Sequence, residues 1–397
     1  MKEDEDKMDI KKLAEKYEPY IIERRRHYHS CPELSYEEKE TLASMKHDIE
    51  AMGITDIRTM EHCYGLVATI HGGHPGKTIG LRTDIDALPI KEQTGLPFAS
   101  KFEGKMHACG HDNHMAMLLG AAQILNEIKD QLHGNVRLIV QPAEEAATGA
   151  QAMMKENAME GVDAIYGAHI WGVIKSGLMD VSAGNRMACC HGFKIKVTGV
   201  SAHASAPHLG IDAITVSASI INNLQQCVSR LNDPMNPLVL TIGTIHGGDR
   251  WNCTPREVIM EGTVRTFRAD TWVEDKMRQI ITETAAAFGA KAELEYTYMT
   301  LPVINSDELL NTIAHDAVVK LYGEGGLAHM PAIMGSEDFS WFGEHTPYFF
   351  GFLGSRDEEK GYIHTNHQET YDVDESILKR GSAVMAQFAY DYLEATK

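Results

Sequence analysis

Residues 136–145 read VRLIVQPAEE, an apolar run that ends in a Gln-Pro step and two adjacent carboxylates. A short apolar run bounded by turn residues is typical of a buried strand. A helical pattern over 113–132 precedes it, and a second apolar run, Ala164–Ile170, follows it. Alternating strands and helices favour a mainly parallel sheet covered by helices, and ligands bind at the carboxyl ends of such strands. We therefore expect Glu144 and Glu145 at the functional edge of a sheet, with a solvated acidic helix N-terminus as the alternative.

The pattern changes at about Met187. Residues 187–300 predict, in order, a strand, a helix, two strands, a helix and a strand, which is the ferredoxin-like split unit. Helical patterns resume after Pro302. The expected fold class is α/β, with a mixed, mainly parallel sheet and helices on both faces, formed by residues 1–186 and 301–397. A smaller ferredoxin-like α+β domain is inserted between these two pieces, and 397 residues leave room for two to three domains.

The composition is that of a folded protein, with 43% hydrophobic and 23% charged residues. The net charge is −19, from 37 Lys and Arg against 56 Asp and Glu, so a nucleic-acid partner is not expected. Residues 1–17 lack the pattern of a secretory signal, and no apolar run approaches eighteen residues. We expect no membrane partner and a cytoplasmic location. Seven is an odd number of cysteines, which favours reduced thiols over a disulfide framework.

A dense group of metal-binding residue types occurs in residues 107–114, which read HACGHDNH. Thiolate and imidazole are ligands that Zn²⁺ prefers, and nearby carboxylates extend the choice to Mn²⁺. Cys109 and His111 flank a glycine that can turn both side chains toward one point. The alternative is that Cys109 is a small buried side chain and that the imidazoles cap a helix.

Two further histidines follow strand-like runs. His169 ends the run YGAH, and His364 lies in GYIHTNH. A lone histidine at such a position is more often a satisfied core residue than a ligand. Together with residues 107–114 and the pair Glu144 and Glu145, these histidines favour a shared metal site at the carboxyl edge of the sheet.

Six motifs are spread over nearly the whole chain. They read HSCPELS (His29–Ser35), RTDIDALP (Arg82–Pro89), MHACGHD (Met106–Asp112), QPAEE (Gln141–Glu145), GVSAH (Gly199–His203) and MGSEDF (Met334–Phe339). In combination they are specific. The chain resembles the M20 metallopeptidases, in particular the amidohydrolase branch that contains hippurate hydrolases, N-acyl-amino-acid deacylases and auxin-conjugate hydrolases.

The resemblance implies two divalent ions per chain, Zn²⁺ or Mn²⁺, with Co²⁺ or Ni²⁺ as alternatives. It also implies that Glu144 is the catalytic base and that Asp84 lies close to the metals, where it orients a ligand or water. The metal ligands that the resemblance implies are Cys109, His111, Glu145, His169 and His364.

The sequence departs from the wider family at Arg82. The family carries a metal-binding histidine at this place, two positions before the aspartate. The resemblance implies that His111 supplies the missing ligand and that Cys109 takes the place of the usual bridging carboxylate. A thiolate at that place alters metal selectivity and makes the site oxidisable.

For the inserted domain, the resemblance implies a lid that also forms a homodimer or a higher homo-oligomer. His203 would polarise the substrate carbonyl, in its own chain or in the partner subunit, and its alternative is an exposed lid histidine. Asn252 and Arg265 would bind the substrate carboxylate, because an Arg fork suits a carboxylate. The alternative for Arg265 is a cross-strand ion pair.

The leading interpretation is a metal-dependent amidohydrolase that cleaves N-acyl-L-amino acids to a carboxylic acid and a free amino acid. Glu144 would take a proton from an activated water and deliver it to the departing nitrogen. Within the family, the alternatives are an N-acetyl-diaminopimelate deacetylase and a small aminoacyl peptidase. Outside it, they are an amino-acid or metal-binding protein that retains the fold, and a redox thiol protein that uses Cys109 or the pair Cys189 and Cys190.

Overall fold

The computed structural model describes residues 9–397, in two compact units. Residues 1–8, which belong to the first predicted domain, lie outside the described residues. Unit 1 contains the described residues up to Arg186, together with Ile304–Pro331 and Asp338–Lys397. Unit 2 contains Met187–Val303 and Ala332–Glu337.

The described chain contains the following helices and strands. The α-helices are α1 (Ile10–Ser30), α2 (Lys39–Ala51), α3 (His111–Glu127), α4 (Gly149–Lys155), α5 (Ala213–Gln226), α6 (Trp272–Ala287), α7 (Glu308–Tyr322) and α8 (Leu378–Ala395). The first seven strands are β1 (Asp56–Thr59), β2 (Leu66–His71), β3 (His74–Asp84), β4 (His133–Gln141), β5 (Ala164–Lys175), β6 (Met179–Asp180) and β7 (Gly184–Met187). The remaining strands are β8 (Cys190–Thr198), β9 (Leu238–Gly247), β10 (Glu257–Thr266), β11 (Lys291–Thr300), β12 (Val303–Asn305), β13 (Leu327–Ala328) and β14 (Tyr348–Arg356).

Unit 1 is built on an eight-stranded sheet with the order β1-β2-β4-β3-β5-β14-β6-β13. The central pairs β4 with β3, β3 with β5 and β5 with β14 are all parallel. Their apolar stretches are almost fully buried, as expected for parallel strands covered by helices. The antiparallel pairs lie toward the edges, between β1 and β2, β2 and β4, and β14 and β6.

Helices α1, α3 and α8 pack against one another and share the core of this sheet. Gly120 in α3 permits the close approach, because a Cβ at this position would lie 2.4 Å from Ser382 Oγ and 2.7 Å from Ile21 Cδ1. Ile21 belongs to α1 and Ser382 to α8. Gly120 therefore lets α1 and α8 approach α3 closely near the middle of that helix.

Unit 2 is an antiparallel sheet with the order β11-β8-β10-β9, and α5 and α6 lie against it. Alternate residues of β8, namely Phe193, Ile195 and Val197, join the core beneath these helices. Asp212 caps α5 by accepting hydrogen bonds from the backbone N–H groups of the first turn. The predicted fold class, a mixed and mainly parallel α/β sheet with a separate ferredoxin-like unit, is confirmed.

Within residues 9–397, no helix has both the length and the apolar character needed to cross a bilayer.

Candidate metal centre

The candidate site lies where neighbouring strands of unit 1 end. β3 ends at Asp84, which is in register with Gln141, the last residue of the parallel strand β4. Glu144 and Glu145 follow in the turn between β4 and α4. His169 comes from β5, on the other side of β3. The functional edge predicted from the apolar run 136–140 is therefore the edge at which these side chains meet.

A thiol and two imidazoles form the centre of the site. The Nε2 atom of His169 lies 3.3 Å from Cys109 Sγ, and the Nε2 atom of His367 lies 3.2 Å from the same sulfur. His367 Nε2 is also 3.6 Å from Glu145 Oε1. The potential ligand atoms of Cys109, His111 and His169 lie within 4.8 Å of one another. A thiol, imidazoles and a carboxylate therefore converge on one small volume.

His111 links this group to the carboxylates. Its Nε2 atom lies 3.6 Å from Asp84 Oδ2, 3.8 Å from Glu144 Oε2 and 3.9 Å from Glu145 Oε1. The start of α3 positions it, because Gly110, with φ +97°, lets the chain turn between Cys109 and His111. The structure thus brings together four of the five expected metal ligands, with Asp84 and Glu144 beside them.

The fifth expected ligand requires a correction, because the structure places His367, and not His364, beside Cys109 and Glu145. The backbone explains the difference. His367 adopts φ +70°, and its N–H donates to the carbonyl of Ala108 at 2.8 Å. This hydrogen bond holds the residue next to the loop that carries Cys109. Both histidines lie in GYIHTNH, and of the two it is His367 that the structure places within reach of Cys109 and Glu145.

Two buried atoms at the centre of the site fit a bound cation. His111 Nε2 and Glu145 Oε1 have no hydrogen-bond partner among the described residues. The Nδ1 atom of His111 donates to the carbonyl of Asp86 at 2.8 Å, so Nε2 is the ring nitrogen that is left for a cation. His169 is oriented in the same way, because its Nδ1 lies 2.6 Å from the carbonyl oxygen of Ile170. Histidine ligands of metals are commonly held by such a bond to the second nitrogen.

His114 supports the site without offering a ligand atom. Its Nδ1 lies 2.7 Å from Asp84 Oδ1, and its Nε2 accepts from the backbone N–H of Ile170 at 2.8 Å. Both ring nitrogens are therefore engaged, and the ring carries its proton on the side of Asp84. His114 thus orients the carboxylate of Asp84 toward His111.

Asp86 holds the turn that carries the two glutamates. Its Oδ1 accepts from the backbone N–H of Glu144 at 3.1 Å, and its Oδ2 accepts from the backbone N–H of Glu145 at 3.0 Å. The Ser35 hydroxyl also donates to Oδ2, at 2.7 Å. The sequence patterns did not single out Asp86, although it is the second aspartate of the RTDIDALP motif. An acidic residue that repeats at a spacing of two after a strand is the signal that could have found it.

Arg82 is one of the most completely buried charged residues of the described chain, with 1% of its surface exposed. Its guanidinium donates to Asp84 Oδ2 at 2.7 Å and to Gln141 Oε1 at 2.8 Å. One of its terminal nitrogens lies 3.5 Å from Asp338 Oδ1. A guanidinium carries only N–H donors and offers no lone pair to a metal, so Arg82 cannot serve as a ligand as a histidine would. It joins the ends of β3 and β4 behind Asp84.

The charge distribution of the site favours a cation. Burial alone would lower the pKa of His111, but the carboxylates of Asp84, Asp86 and Glu145 raise this pKa to about 10. Burial would raise the pKa of Asp84, yet His111, His114 and Arg82 hold it well below its usual value. The surplus of negative charge around His111 is what a divalent ion would neutralise.

The pKa values of three further groups at the site, Cys109, Glu145 and His169, are also shifted from their usual values. Burial, and then the carboxylates of Glu145 and Glu144, raise the pKa of the Cys109 thiol well above its usual value. Burial raises the pKa of Glu145 to about 7. Burial, together with the neighbouring His114, lowers the pKa of His169 and keeps its imidazole neutral. Neutral imidazole is the form that binds a metal.

The predicted substrate-binding residues all lie in unit 2. His203 is exposed, and its Nδ1 lies 2.7 Å from Ser205 Oγ. Asn252 is close to it, because His203 pairs with Cys253 in an isolated bridge. Arg265 lies near the far end of β10 and donates to Ser336 Oγ at 2.8 Å. At about 3.4 Å per residue, the length of β10 separates Arg265 from the loop that carries Asn252 by about 25 Å.

Comparison with known proteins identifies the family. The description "Peptidase family M20/M25/M40" matches residues 80–391, which is most of the chain. The chain belongs to this family, as the motif resemblance predicted. Its fold and the cluster of thiol, imidazole and carboxylate groups at the sheet edge are those of a metal-binding hydrolase family.

Individual relatives cover almost the entire chain. The chain is 38% identical to thermostable carboxypeptidase 2 of Saccharolobus solfataricus, over 97% of this chain and 98% of the relative. It is 39% identical to N-acetyl-L-cysteine deacetylase of Bacillus subtilis, over 96% of this chain and 90% of the relative. Among solved structures, the YXEP protein of Bacillus subtilis, described as a dinuclear metal-binding peptidase of the M20 family, is 35% identical. That structure superimposes with a TM-score of 0.84 and covers 96% of this chain and 99% of its own.

Proposed function

We propose that this protein is a metal-dependent amidohydrolase that cleaves N-acyl-L-amino acids to a carboxylic acid and a free amino acid. The observation that carries the proposal is the pair Glu144 and Glu145, held by one carboxylate at the edge of the ligand cluster. Both glutamates lie within 3.9 Å of His111 Nε2, and Glu145 also lies 3.6 Å from His367 Nε2. Binding a metal needs only one of these carboxylates, and hydrolysis needs the second as a base. The deacetylase relative supports this substrate class.

The metal site is proposed to hold two divalent ions, Zn²⁺ or Mn²⁺, with Co²⁺ or Ni²⁺ as alternatives. Cys109, His111, Glu145 and His169 stay among the proposed ligands, and His367 takes the place first assigned to His364. Thiolate and imidazole favour zinc, and carboxylates admit manganese. Bound ions would supply the Lewis acidity that activates water and polarises an amide carbonyl.

Glu144 is proposed to move the proton. Its carboxylate takes a proton from the water whose oxygen attacks the carbonyl carbon. The same proton then goes to the nitrogen as the C–N bond breaks, so that a neutral amine leaves. Asp86 keeps Glu144 in place through the backbone N–H. Asp84, fixed by His114 and Arg82, is proposed to orient His111.

Unit 2, near residues 187–300, is proposed to act as the lid and dimerisation domain. His203 is proposed to polarise the substrate carbonyl, and Asn252 and Arg265 to bind the substrate carboxylate. The separation of Arg265 from Asn252 and His203 along β10 supports a site that takes these residues from two different subunits. We therefore propose a homodimer in which His203 acts on the site of its partner.

We propose a cytoplasmic location because the cysteine thiols are not joined in disulfides. All seven cysteines, from Cys31 to Cys253, are free. Free thiols are typical of a reducing compartment.

A second candidate activity is the removal of the C-terminal residue from small peptides, which the carboxypeptidase relative favours. A peptide and an N-acyl amino acid share the scissile amide and the free carboxylate. The two candidates therefore differ in the acyl side, where a peptide carries an ammonium group and an N-acyl amino acid does not.

The deciding experiment measures metal content together with the release of free amino acid from matched substrates. The panel contains N-acetyl, N-benzoyl and longer N-acyl amino acids, N-acetyl-diaminopimelate, and dipeptides with the same C-terminal residue. We expect hydrolysis of N-acyl amino acids that is lost on chelation and restored by Zn²⁺ or Mn²⁺. Glu144→Gln should retain metal and lose about 10²- to 10⁴-fold in rate. Faster cleavage of the dipeptides would select the peptidase, and metal binding without any hydrolysis would contradict both activities.

The dimer is tested by mixing two inactive variants. If His203 acts on the partner's site, a heterodimer of His203→Ala and Glu144→Ala chains contains one intact site. Mixing and subunit exchange should then restore about a quarter of the wild-type rate, since half of the dimers are mixed and each has one good site. Absence of restored activity, in a sample shown by mass to contain heterodimers, would place His203 on the site of its own chain.

A further inference from the structure

A cavity lies in unit 1 beside the turn that carries Glu144 and Glu145. Its volume is about 870 Å³, within the usual range of small-molecule sites. It is bounded by α2, by the segment 59–64 and by α4. Much of its wall is apolar, formed by Leu42, Ala43, Met60, Pro142 and Ala152.

One wall of this cavity is the turn itself. Pro142, Ala143, Thr148 and Gly149 all line the cavity. The turn is tightly folded, because the N–H groups of Thr148 and Gly149 both donate to the carbonyl of Ala143. A Cβ at position 149 would lie 1.6 Å from the carbonyl oxygen of Pro142, so only glycine fits. An occupant of the cavity therefore touches the backbone that positions the two glutamates.

Glu38 lies on the inner side of the cavity and offers an unsatisfied acceptor. The residue is fully buried, with 0% exposure. Its Oε1 accepts from the N–H of Ala143 at 2.8 Å, whereas its Oε2 has no hydrogen-bond partner among the described residues. Burial raises the pKa of Glu38 to about 7. A buried acceptor without a partner destabilises the protein, and a ligand N–H group would supply the missing partner.

The rim of the same cavity carries three lysines, Lys39, Lys46 and Lys155, and one exposed acidic residue, Glu61. Among the side chains that line the rim itself, positive ones therefore outnumber negative ones by three to one. The ammonium groups are only loosely paired, since Lys39 Nζ lies 3.9 Å and Lys46 Nζ 3.8 Å from exposed glutamates of α2. Such exposed pairs contribute little, so the lysines are available to an anion.

We propose that this cavity is an effector site for an apolar molecule that carries both an N–H group and a carboxylate. The N–H would face Glu38, the carboxylate would face the lysines, and the apolar body would lie against Leu42, Met60 and Pro142. This chemistry has two sources in the proposed reaction, the intact N-acyl amino acid and the free apolar amino acid that it releases. Naming these two sources rests on the proposed function, whereas the cavity and its donor and acceptor groups do not.

Cys63 provides a reporter inside the cavity that is independent of hydrolysis. This free thiol is half-buried and lines the cavity. Cys31 is also free and half-buried but lies elsewhere, beside Ser30 and Lys101. The rate of alkylation of each thiol by N-ethylmaleimide, followed by mass spectrometry of its peptide, therefore gives a signal and an internal control. The metal-loaded protein is used throughout.

The probes separate the required groups. N-acetyl-L-phenylalanine, with the Glu144→Gln protein so that it stays intact, represents the substrate, and L-phenylalanine represents the product. N-acetyl-L-phenylalanine amide lacks the carboxylate, and 3-phenylpropionate lacks the N–H. At ten times the Kd, a ligand that covers Cys63 should slow its alkylation about tenfold and leave Cys31 unchanged.

We expect protection of Cys63 by N-acetyl-L-phenylalanine, L-phenylalanine or both, with the stronger of the two identifying the source. The amide and 3-phenylpropionate should protect at least several-fold less. Lys46→Glu should remove the protection and Lys46→Arg should retain it. Equal alkylation with and without every probe, or equal protection by all four, would overturn the proposal. Protection of Cys63 in a protein that hydrolyses no substrate would contradict the proposed function and still support the effector site.

Discussion

The imidazole Nε2 of His367 lies 3.2 Å from the sulfur of Cys109, although 258 residues separate the two in the chain. The contact joins the loop after β14 to the loop before α3. The backbone N–H of His367 donates to the carbonyl of Ala108, which holds the residue beside the loop that carries Cys109. A late segment of the chain therefore completes a site that earlier strands begin.

The assignment of His367 predicts a difference between two neighbouring histidines. His367→Ala should lower metal content and reduce the hydrolysis rate by at least about 100-fold, because loss of even an outer partner of a ligand costs 10–100-fold. His364→Ala, three residues earlier, should keep metal content and rate within about threefold of wild type. Metal analysis and rates on the best substrate measure both. The reverse order of the two variants would restore the first assignment.

Removal of the Arg82 guanidinium should destabilise the protein strongly. Arg82→Met leaves the buried carboxylates of Asp84 and Asp338 without this cation, and breaking a buried ion pair costs about 3–5 kcal/mol. The matched control is Arg26→Met, which removes a guanidinium that is 51% exposed and paired with Glu375, and should cost about 1 kcal/mol or less. Denaturant unfolding of both variants measures the difference. Similar losses in the two variants would show that the Arg82 network contributes no more than a surface pair.

The buried Glu38 predicts a pH-dependent stability. Its pKa rises from 4.5 in the unfolded chain to about 7 in the folded protein. Between these values the folded state holds a proton that the unfolded state has lost, so the free energy of unfolding falls as pH rises through this window. Glu38→Gln does not ionise and lacks this loss. At 1.4 kcal/mol per pKa unit, and allowing for screening by solvent, wild type should lose about 2 kcal/mol relative to the variant between pH 5 and pH 8.

Urea unfolding of the wild type and the Glu38→Gln variant at pH 5, 6, 7 and 8, each with saturating metal, measures this term. The comparison of slopes cancels any constant cost of the substitution. Parallel pH dependence of the two proteins would mean that Glu38 is already ionised in the folded protein over the whole range.

The turn before α4 predicts a further sensitive position. Gly149→Ala places a Cβ 1.6 Å from the Pro142 carbonyl, so the turn must open. We expect a loss of several kcal/mol of stability or, if the protein folds, a rate lowered by at least about tenfold through displacement of Glu144 and Glu145. Gly325→Ala is the matched control, because Gly325, like Gly149, has no positive φ, and nothing lies within 4 Å of its Cβ. A Gly149→Ala protein with wild-type rate and stability would show that the turn is pliable.

The sequence patterns predicted the fold because apolar periodicity is local. The run 136–140 and the strand, helix, two strands, helix, strand order of 187–300 each report structure through neighbouring residues. The position of Glu144, Glu145 and His169 at strand ends predicted one shared edge, and in the structure His111 lies close to both glutamates and to His169. Motif resemblance supplied the family, which the comparisons confirm.

The sequence patterns could not predict contacts that depend on the backbone conformation of loops far apart in the chain. The choice between His364 and His367 depends on a left-handed residue and one hydrogen bond to Ala108. Asp86 accepts hydrogen bonds from backbone N–H groups of the turn. Almost every residue has such a group, so the residue types in the turn do not reveal this contact. Glu38 lies in α2 and meets Ala143 only in the folded chain, so its unsatisfied oxygen could not be anticipated either.

The double hydrogen bond from Asp86 to Glu144 and Glu145 has a consequence for how this site can change. The backbone N–H groups of Glu144, the proposed base, and Glu145, the proposed ligand, both donate to the Asp86 carboxylate. A shift of Asp86 would therefore move both residues. Substitutions that move this turn should therefore change proton transfer and metal affinity together. A change in this turn that alters metal preference would therefore also alter proton transfer. Changes in metal preference are then expected at the other ligands, Cys109, His169 and His367.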